Sequence, residues 1–382
     1  MGRKNRYKQR ADGRYMALVQ TGIKEDGKPI RISVYADSSA ELEKIVDKMR
    51  DDLKSGKNVN TKKADTSFKY YADKWYNLNL PSWEAPTKNM YSNIINKHLQ
   101  SLYKKTLSDI VKSDIQKVIN DRWEKARTCQ QIVLTIHQIL QMAVDDKILC
   151  VNVCAELKLP KSTPSPNARQ LTDLEIDAIR KADFNDMQRA YVYLLYGCGL
   201  RPGEIAALKP LDFDFKANSV RIDEAIGYDN NTPYFKDPKS IAGFRTVPLL
   251  PFTIDFLHQY VSSLKGPILF PMQRDQTYSR EMSKSSQRKF WDGIEYKIRI
   301  AAGEKIEKVN GKVQISCQKI FNLTAYTFRH NYATELYYSG ISLKKAVELM
   351  GHANARMIID IYAHLDAVKE NTEEKLQKIR AL

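Results

Sequence analysis

The sequence predicts a multidomain, mainly α protein: a small N-terminal β-sheet-plus-helix module, a helical bundle, and a larger mixed α+β domain. Three observations carry that prediction. A length of 382 residues suits two or three separate hydrophobic cores better than one. Apolar residues recur at helical spacing in block after block, with short alternating runs between them. Leu159-Pro-Lys-Ser-Thr-Pro-Ser-Pro166 sets three prolines among Ser and Thr, which favours extended, unpacked backbone and marks a boundary. The expected segments are 1–57, 65–159 and 168–382.

The first segment opens with a basic tip of Arg3, Lys4, Arg6, Lys8 and Arg10. Two alternating runs, Gly13 to Gln20 and Pro29 to Tyr35, flank Asp26-Gly27, the pattern of a hairpin. A helix is expected from Ser38 or Ser39 through Leu42, Ile45, Val46 and Met49, with Gly56 as its stop. Asn58 to Asp65 is polar and aperiodic, a linker.

Four helices follow. Thr66 or Ser67 caps one carrying Phe68, Tyr71 and Trp75; Thr87 precedes one carrying Met90, Ile94 and Ile95. Ser113-Asp-Ile-Gln116 has the form of a capping box ahead of Val118 and Ile119. The fourth spans about Thr128 to Val144. Their lysines, among them Lys88, Lys97, Lys104 and Lys117, are individually a solvated face and collectively suit a phosphate backbone.

Charge narrows the partners. A formal net charge of +16 creates a field that attracts polyanions, and nucleic acid is the first of these to consider. Cys129, Cys150, Cys154, Cys198 and Cys317 are odd in number and sit mostly among apolar neighbours, as reduced core thiols do. Cys150 and Cys154 lie one helical turn apart, but no second Cys/His pair nearby completes a tetrahedral site, so neither metal nor cofactor is expected. The N-terminus has no signal-peptide core and no apolar run spans a bilayer, so a cytoplasmic protein without membrane contact is expected.

In the third segment, Thr172 caps a new helix, and an apolar helix from Met187 to Tyr196 ends at Gly197 or Gly199. Arg201-Pro-Gly-Glu204 then starts another helix, with Pro202 at its first position and Glu204 placed to orient the Arg201 guanidinium. Ser219 to Asp223 and Thr246 to Leu249 read as strands around a turn-rich segment holding Lys236, Lys239 and Ser240, with Arg245 just beyond. Tyr326-Thr-Phe-Arg329-His330 lies on a helix stopped by Gly340. Leu343 to Met350 forms a short helix ending at Gly351-His352, and Ala353 to His364 carries Asp360 and Tyr362. Glu304 to Ile315 reads as an extra hairpin around Asn310-Gly311, and Leu365 to Leu382 as a tail helix. Taken singly, each of these residues has a plainer role: a surface helix start for Arg201, a capping residue for His352, a core ring for Tyr362.

Their order changes that. The succession Tyr196-Gly-Cys-Gly-Leu-Arg201-Pro-Gly-Glu204, Lys239, Thr327-Phe-Arg329-His330, Leu349-Met-Gly-His352 and Asp360-Ile-Tyr362-Ala-His364 resembles the catalytic domain of the tyrosine recombinase, or phage integrase, family. The resemblance is strong from about Leu171 to Leu365. The earlier modules resemble the family's arm-binding and core-binding domains by arrangement more than by motif.

The resemblance implies a site-specific DNA recombinase that cleaves and rejoins strands through a 3′-phosphotyrosyl intermediate, integrating or excising a mobile element or prophage. Tyr362 is then the nucleophile, Arg201 and Arg329 a clamp on the nonbridging oxygens, His352 a hydrogen-bond donor or proton carrier, and Lys239 the general acid, with Lys236 as the other candidate. Where the family has His or Lys three residues before the second arginine, this chain has Tyr326, whose phenol donates a hydrogen bond but carries no charge at neutral pH. The implied partners are duplex DNA at core and arm sites, three further copies in a tetramer, a directionality factor and a host DNA-bending protein. Two other readings stand beside it: an enzyme like a type IB topoisomerase, and a noncatalytic DNA-binding protein that retains the fold.

Overall fold

The fold is that of a computed structural model, which describes residues 7–25, 28–54, 66–149, 151–161, 169–238, 240–272, 279–309, 312–352, 356, 358, 359 and 361. The chain divides into two compact units, Met1–Thr163 and Pro164–Leu382, and the division falls within the proline-containing stretch. The Asp26-Gly27 turn, the Asn58 to Asp65 linker, Cys150, the Asn310-Gly311 turn and the tail helix lie outside the described residues.

In the first unit, β1 (Tyr15–Glu25) and β2 (Lys28–Ala36) pair antiparallel, with Met16 opposite Tyr35 and Leu18 opposite Ser33. The alternation sends Ala17, Val19 and Ala36 into a small core with Leu42 and Val46 of α1 (Ser39–Lys54), and leaves Leu18 and Tyr35 exposed on the other face.

The bundle comprises α2 (Phe68–Asn79), α3 (Ala85–Asn93), α4 (Lys112–Asn120) and α5 (Ala126–Asp145). Ser67 caps α2 by accepting from the Tyr70 amide at 3.3 Å. Phe68, Tyr71, Ile115, Ile119, Ile132 and Ile136 close the core with at most 1 % exposure. Two expected helix starts are corrected. Helix α3 begins two residues before Thr87, because Pro86 supplies a backbone angle already suited to the first turn. Helix α4 is capped from Asp114, whose carboxylate accepts from the Val111 amide at 3.0 Å and holds Lys105 at 2.8 Å, so Ser113-Asp-Ile-Gln116 is not the capping box. A carboxylate at the third helical position does this better than the amide of Gln116, since the N-terminus of a helix favours negative charge.

The second unit opens with α6 (Asp173–Lys181), where Thr172 and Glu175 form a reciprocal box and Arg169 grips the buried Glu175 at 2.6 and 2.7 Å. Next come α7 (Asp186–Cys198) and α8 (Pro202–Ala207), then β3 (Phe213–Asp214), β4 (Ser219–Ile222), β5 (Ala225–Asp229), β6 (Thr232–Lys236) and β7 (Arg245–Pro248). Strands β3, β4 and β7 make one antiparallel sheet, while β5 and β6 form a separate hairpin. That hairpin stands in the segment that the residues alone give as turn-rich and that the family resemblance gives as a hairpin, because Gly227 and Pro233 break the alternation by which strands are read. Helices α9 (Pro251–Ser263) and α10 (Lys284–Ala301), hairpin β8 (Lys305–Val309) and β9 (Lys312–Ser316), and helices α11 (Ala325–Tyr338) and α12 (Leu343–Met350) complete the unit. A large core built on α7, β4, β7 and α10 is joined by a smaller one in which α11 and α12 share Tyr332, Leu336, Ala346, Leu349 and Met350. Among the described residues no helix is long and apolar enough to cross a membrane.

The α7–α8 junction depends on Gly199. Its φ of 58° lies in the left-handed region, and a Cβ there would come within 2.2 Å of the Tyr332 ring. Gly199→Ala is therefore expected to lower stability by about 2–4 kcal/mol, from backbone strain plus overpacking. Chemical denaturation checks this, and a loss below about 0.5 kcal/mol would show that the junction relaxes without cost.

Candidate active site

Helix ends build the site. Gly199 turns the chain out of α7, so that Arg201 occupies the N-cap position of α8 with its side chain half-buried. Glu204, one turn on, is 3 % exposed. Its carboxylate accepts from the Arg201 amide at 2.9 Å and from Arg201 Nη1 at 2.6 Å. Arg245, the first residue of β7 and also deeply buried, donates Nη2 to Glu204 Oε2 at 2.9 Å and Nη1 to Oε1 at 3.2 Å. One carboxylate thus organises two guanidinium groups.

Arg329 enters from α11 and is 3 % exposed. It donates Nη1 to the Gly199 carbonyl at 2.7 Å and Nη2 to the Met350 carbonyl at 2.5 Å. Arg201 Nη2 reaches the Gly351 carbonyl at 3.0 Å. These acceptors are the last carbonyls of α7 and α12, which have no partner within their own helices. Gly351 is itself left-handed, with φ of 62°, and a Cβ on it would lie 2.7 Å from Arg245 Nη1.

The Nε2 atom of His352 lies 2.7 Å from Arg329 Nη2. A guanidinium only donates, so Nε2 is the acceptor and the ring proton sits on Nδ1. Nδ1 is buried and finds no partner among the described residues. Burial and then the nearby Arg329, Arg201 and Arg245 push the His352 pKa down to about 3, so the ring is neutral at pH 7. Glu204 is held down to about 2 by its bonds to Arg245 and the surrounding arginines, against the opposing effect of burial. Burial, with the charge of Arg201, brings Arg329 down to about 9.

Arg201, Glu204 and His352 edge a cleft of about 520 Å³, whose walls also include Tyr326, Lys236, Asp237 and Gln287. Tyr326 stands in the first turn of α11 and is half exposed. Of the residues expected to act together, Arg201, Tyr326, Arg329 and His352 are brought to one place, and so is Lys236. Lys239 and Tyr362 lie outside the described residues. His330 is partly buried, and desolvation, then the charge of Arg329, lowers its pKa. Sequence reasoning missed the part played by Arg245. The available signal was a charged residue at an inward position of β7, whose alternate residues Arg245 and Val247 are buried while Thr246 and Pro248 are not.

Charge decides what the cleft admits. Among the described residues in and behind the cleft, Arg201, Arg245, Arg329 and Lys236 give four positive charges against Glu204 and Asp237, an excess of two, with a neutral imidazole N–H that finds no acceptor among them. Such a site is complementary to an anion with several acceptor oxygens.

Residues 169–369 match the family model described as "Phage integrase family". The chain belongs to the phage integrase family. Membership makes it a tyrosine recombinase, an enzyme of DNA strand cleavage and rejoining. A tyrosine recombinase XerC-like protein of Caldanaerobacter subterraneus subsp. tengcongensis is 25% identical over 399 residues, covering 99% of this chain and 100% of that protein. A putative prophage phiRv2 integrase of Mycobacterium tuberculosis is 24% identical over 298 residues, covering 75% of this chain and 72% of its own. Among solved structures, the Tn1549 transposon integrase in complex with a circular intermediate DNA superposes with a TM-score of 0.63 at 18% identity, over 81% of this chain and 99% of that one. A lambda integrase dimer bound to a COC′ core site gives 0.58 at 16%, over 94% and 95%. The fold of this recombinase is therefore that of the integrases.

The buried imidazole has a consequence for stability. His352 binds its proton near pH 6.5 when unfolded but only near pH 3 when folded, so its contribution is whole above pH 6.5 and is lost as pH falls toward 3. Glu204 adds a loss only below about pH 4.5. Between pH 6.5 and 4.5 the melting temperature of the wild type is thus expected to fall more steeply than that of His352→Gln. Parallel curves would show that His352 titrates normally.

Proposed function

We propose that this recombinase seats one phosphodiester of duplex DNA in the cleft, with Arg201 and Arg329 facing its nonbridging oxygens, and that Tyr362 attacks the phosphorus. The phosphorus–O5′ bond breaks as the Tyr362–phosphorus bond forms, leaving a 3′-phosphotyrosyl enzyme and a free 5′-hydroxyl. Lys239 protonates the departing oxygen, with Lys236 at the cleft wall as the alternative donor. His352 Nδ1–H donates to a phosphoryl oxygen, and Tyr326 adds a neutral donor from the first turn of α11. The observation that carries this reading is the buried Nδ1, without a partner among the described residues, beside an excess of guanidinium charge. Attack by a different 5′-hydroxyl rejoins strands, so the bond energy is conserved and the arginine charges supply the electrostatic stabilisation.

The same reading assigns residues 168–382 to catalysis, 65–159 to the core site and 1–57 to separate arm sites. Support for the last comes from the outward face of the hairpin. Met16, Leu18, Ser33 and Tyr35 lie in register there, with the Arg10 and Arg14 guanidinium groups each 5.5 Å from the Tyr35 ring centre. Aromatic and arginine side chains on an open sheet suit a nucleic acid groove. Homotetramer assembly is part of the proposal, in keeping with lambda integrase, which forms a tetramer on a Holliday junction. The directionality and DNA-bending proteins rest on the family resemblance alone.

A nicked duplex whose core sequence has been selected by the full-length chain from a random pool provides the assay. Wild type is expected to form a covalent adduct, and Tyr362→Phe to form none while its DNA affinity stays within threefold. Adduct from that variant would move the nucleophile elsewhere. Arg201→Ala and Arg329→Ala should each slow adduct formation about a hundredfold or more, the effect of losing one charged donor. Recombinant product separates this reading from a topoisomerase.

Lys239→Ala should recover most of its rate on a 5′-bridging phosphorothiolate, whose leaving group needs no proton. Recovery by Lys236→Ala instead would transfer the general-acid role.

A further inference from the structure

The structure assigns Arg245 a positioning role in strand cleavage: its guanidinium fixes the Glu204 carboxylate and the C-terminal end of α12 together, and so sets where Arg201 points. The inference rests on the cleft being the cleavage site, but it concerns a residue that contacts no DNA in that reading.

The geometry has three parts. Both terminal nitrogens of Arg245 bind Glu204, at 2.9 and 3.2 Å, and Glu204 in turn holds both the amide and the guanidinium of Arg201. The remaining nitrogen, Nε, donates to the Leu349 carbonyl at 2.8 Å, one residue before the Met350 carbonyl that receives Arg329 and two before the Gly351 carbonyl that receives Arg201. Nη1 also donates to the Gly243 carbonyl at 3.1 Å, which ties the loop between β6 and β7 to the same point. That loop carries the candidate lysine. Arg245 therefore joins α8, α12 and the β6–β7 loop from a position almost without solvent.

A lysine cannot reproduce this. Its single nitrogen can bind the carboxylate or a carbonyl, but it lacks the planar fork that meets both carboxylate oxygens while the other edge reaches Leu349. The expected failure is of aim rather than of charge. A packing role alone would predict a loss of stability and a rate defect independent of Arg201.

Adduct formation on the selected nicked duplex, measured in single turnover, tests this with Arg245→Lys and Arg245→Met, each alone and combined with Arg201→Ala. Melting temperature and DNA affinity are measured in parallel. Both single variants are expected to cleave at least thirtyfold more slowly than wild type with affinity within threefold. In the Arg201→Ala background, either substitution should slow cleavage by less than threefold more, because the guanidinium through which Arg245 acts is gone. The full thirtyfold factor persisting in that background would overturn the assignment, as would an Arg245→Lys rate within threefold of wild type. If Arg245→Met does not melt cooperatively, Arg245→Lys alone decides. Failure of both to melt cooperatively would make Arg245 a folding residue and also overturn the assignment. Wild-type cleavage by Arg201→Ala would overturn the reading of the cleft itself, an outcome distinct from these.

Discussion

The carboxylate of Glu204 is the constraint on which the second unit is arranged. Three guanidinium groups in one low-dielectric region repel one another, and only an anion between them lets the fold close. Glu204 supplies it at 2.6 Å from Arg201 and 2.9 Å from Arg245. Losing one partner of such a pair leaves the other charge buried and uncompensated, which is far more costly than the pair is stabilising. Yet one carboxylate does not neutralise the group. The uncompensated part of the charge is what makes the cleft attractive to an anion, so the same imbalance that burdens folding prepares binding.

Backbone shares the work. Gly199, Met350 and Gly351 all present carbonyls at helix C-termini, where the helix carries partial negative charge. Arg329 and Arg201 take those carbonyls as acceptors, so the ends of α7 and α12 are satisfied and the guanidinium groups are anchored in one step. Both junctions require a left-handed residue at close quarters, Gly199 against the Tyr332 ring and Gly351 against Arg245. The glycines are thus coupled to the arginines: the chain reverses direction where the cations must be held.

How much of this could be read from sequence depends on the kind of interaction. Helices α6, α7, α8 and α12 were legible because their signals are local, such as Thr172 with Glu175, Pro202 at a first position and Gly351 at a last. The order of Arg201, Arg329 and His352 was legible through resemblance. Helix α3 was misplaced because Pro86 begins a helix ahead of a residue that looks like a cap, and α4 because Asp114 reaches back to an amide that belongs to a valine. Strands β5 and β6 were hidden by Gly227 and Pro233. The inward place of Arg245 was legible from the alternation of its strand, but its role was not. It is made by contacts to Glu204 and Leu349, 41 and 104 residues away in the chain, and no local pattern records those.

In the proposed reading His352 has a companion in Tyr326, which stands where the family resemblance implies His or Lys. An imidazole surrounded by arginines stays neutral, and the bond it accepts from Arg329 on Nε2 leaves the ring proton on Nδ1. It therefore adds a donor without adding to the repulsion among the cations. A phenol at position 326, in the lining of the same cleft, does the same. In the proposed reading the positive charge that meets the phosphate is concentrated in Arg201 and Arg329, and the groups around them are neutral donors. Such a division suits a site that must remain folded when no DNA is bound: each further cation would raise the cost of the empty cleft, whereas a neutral donor raises it only by an unmade hydrogen bond.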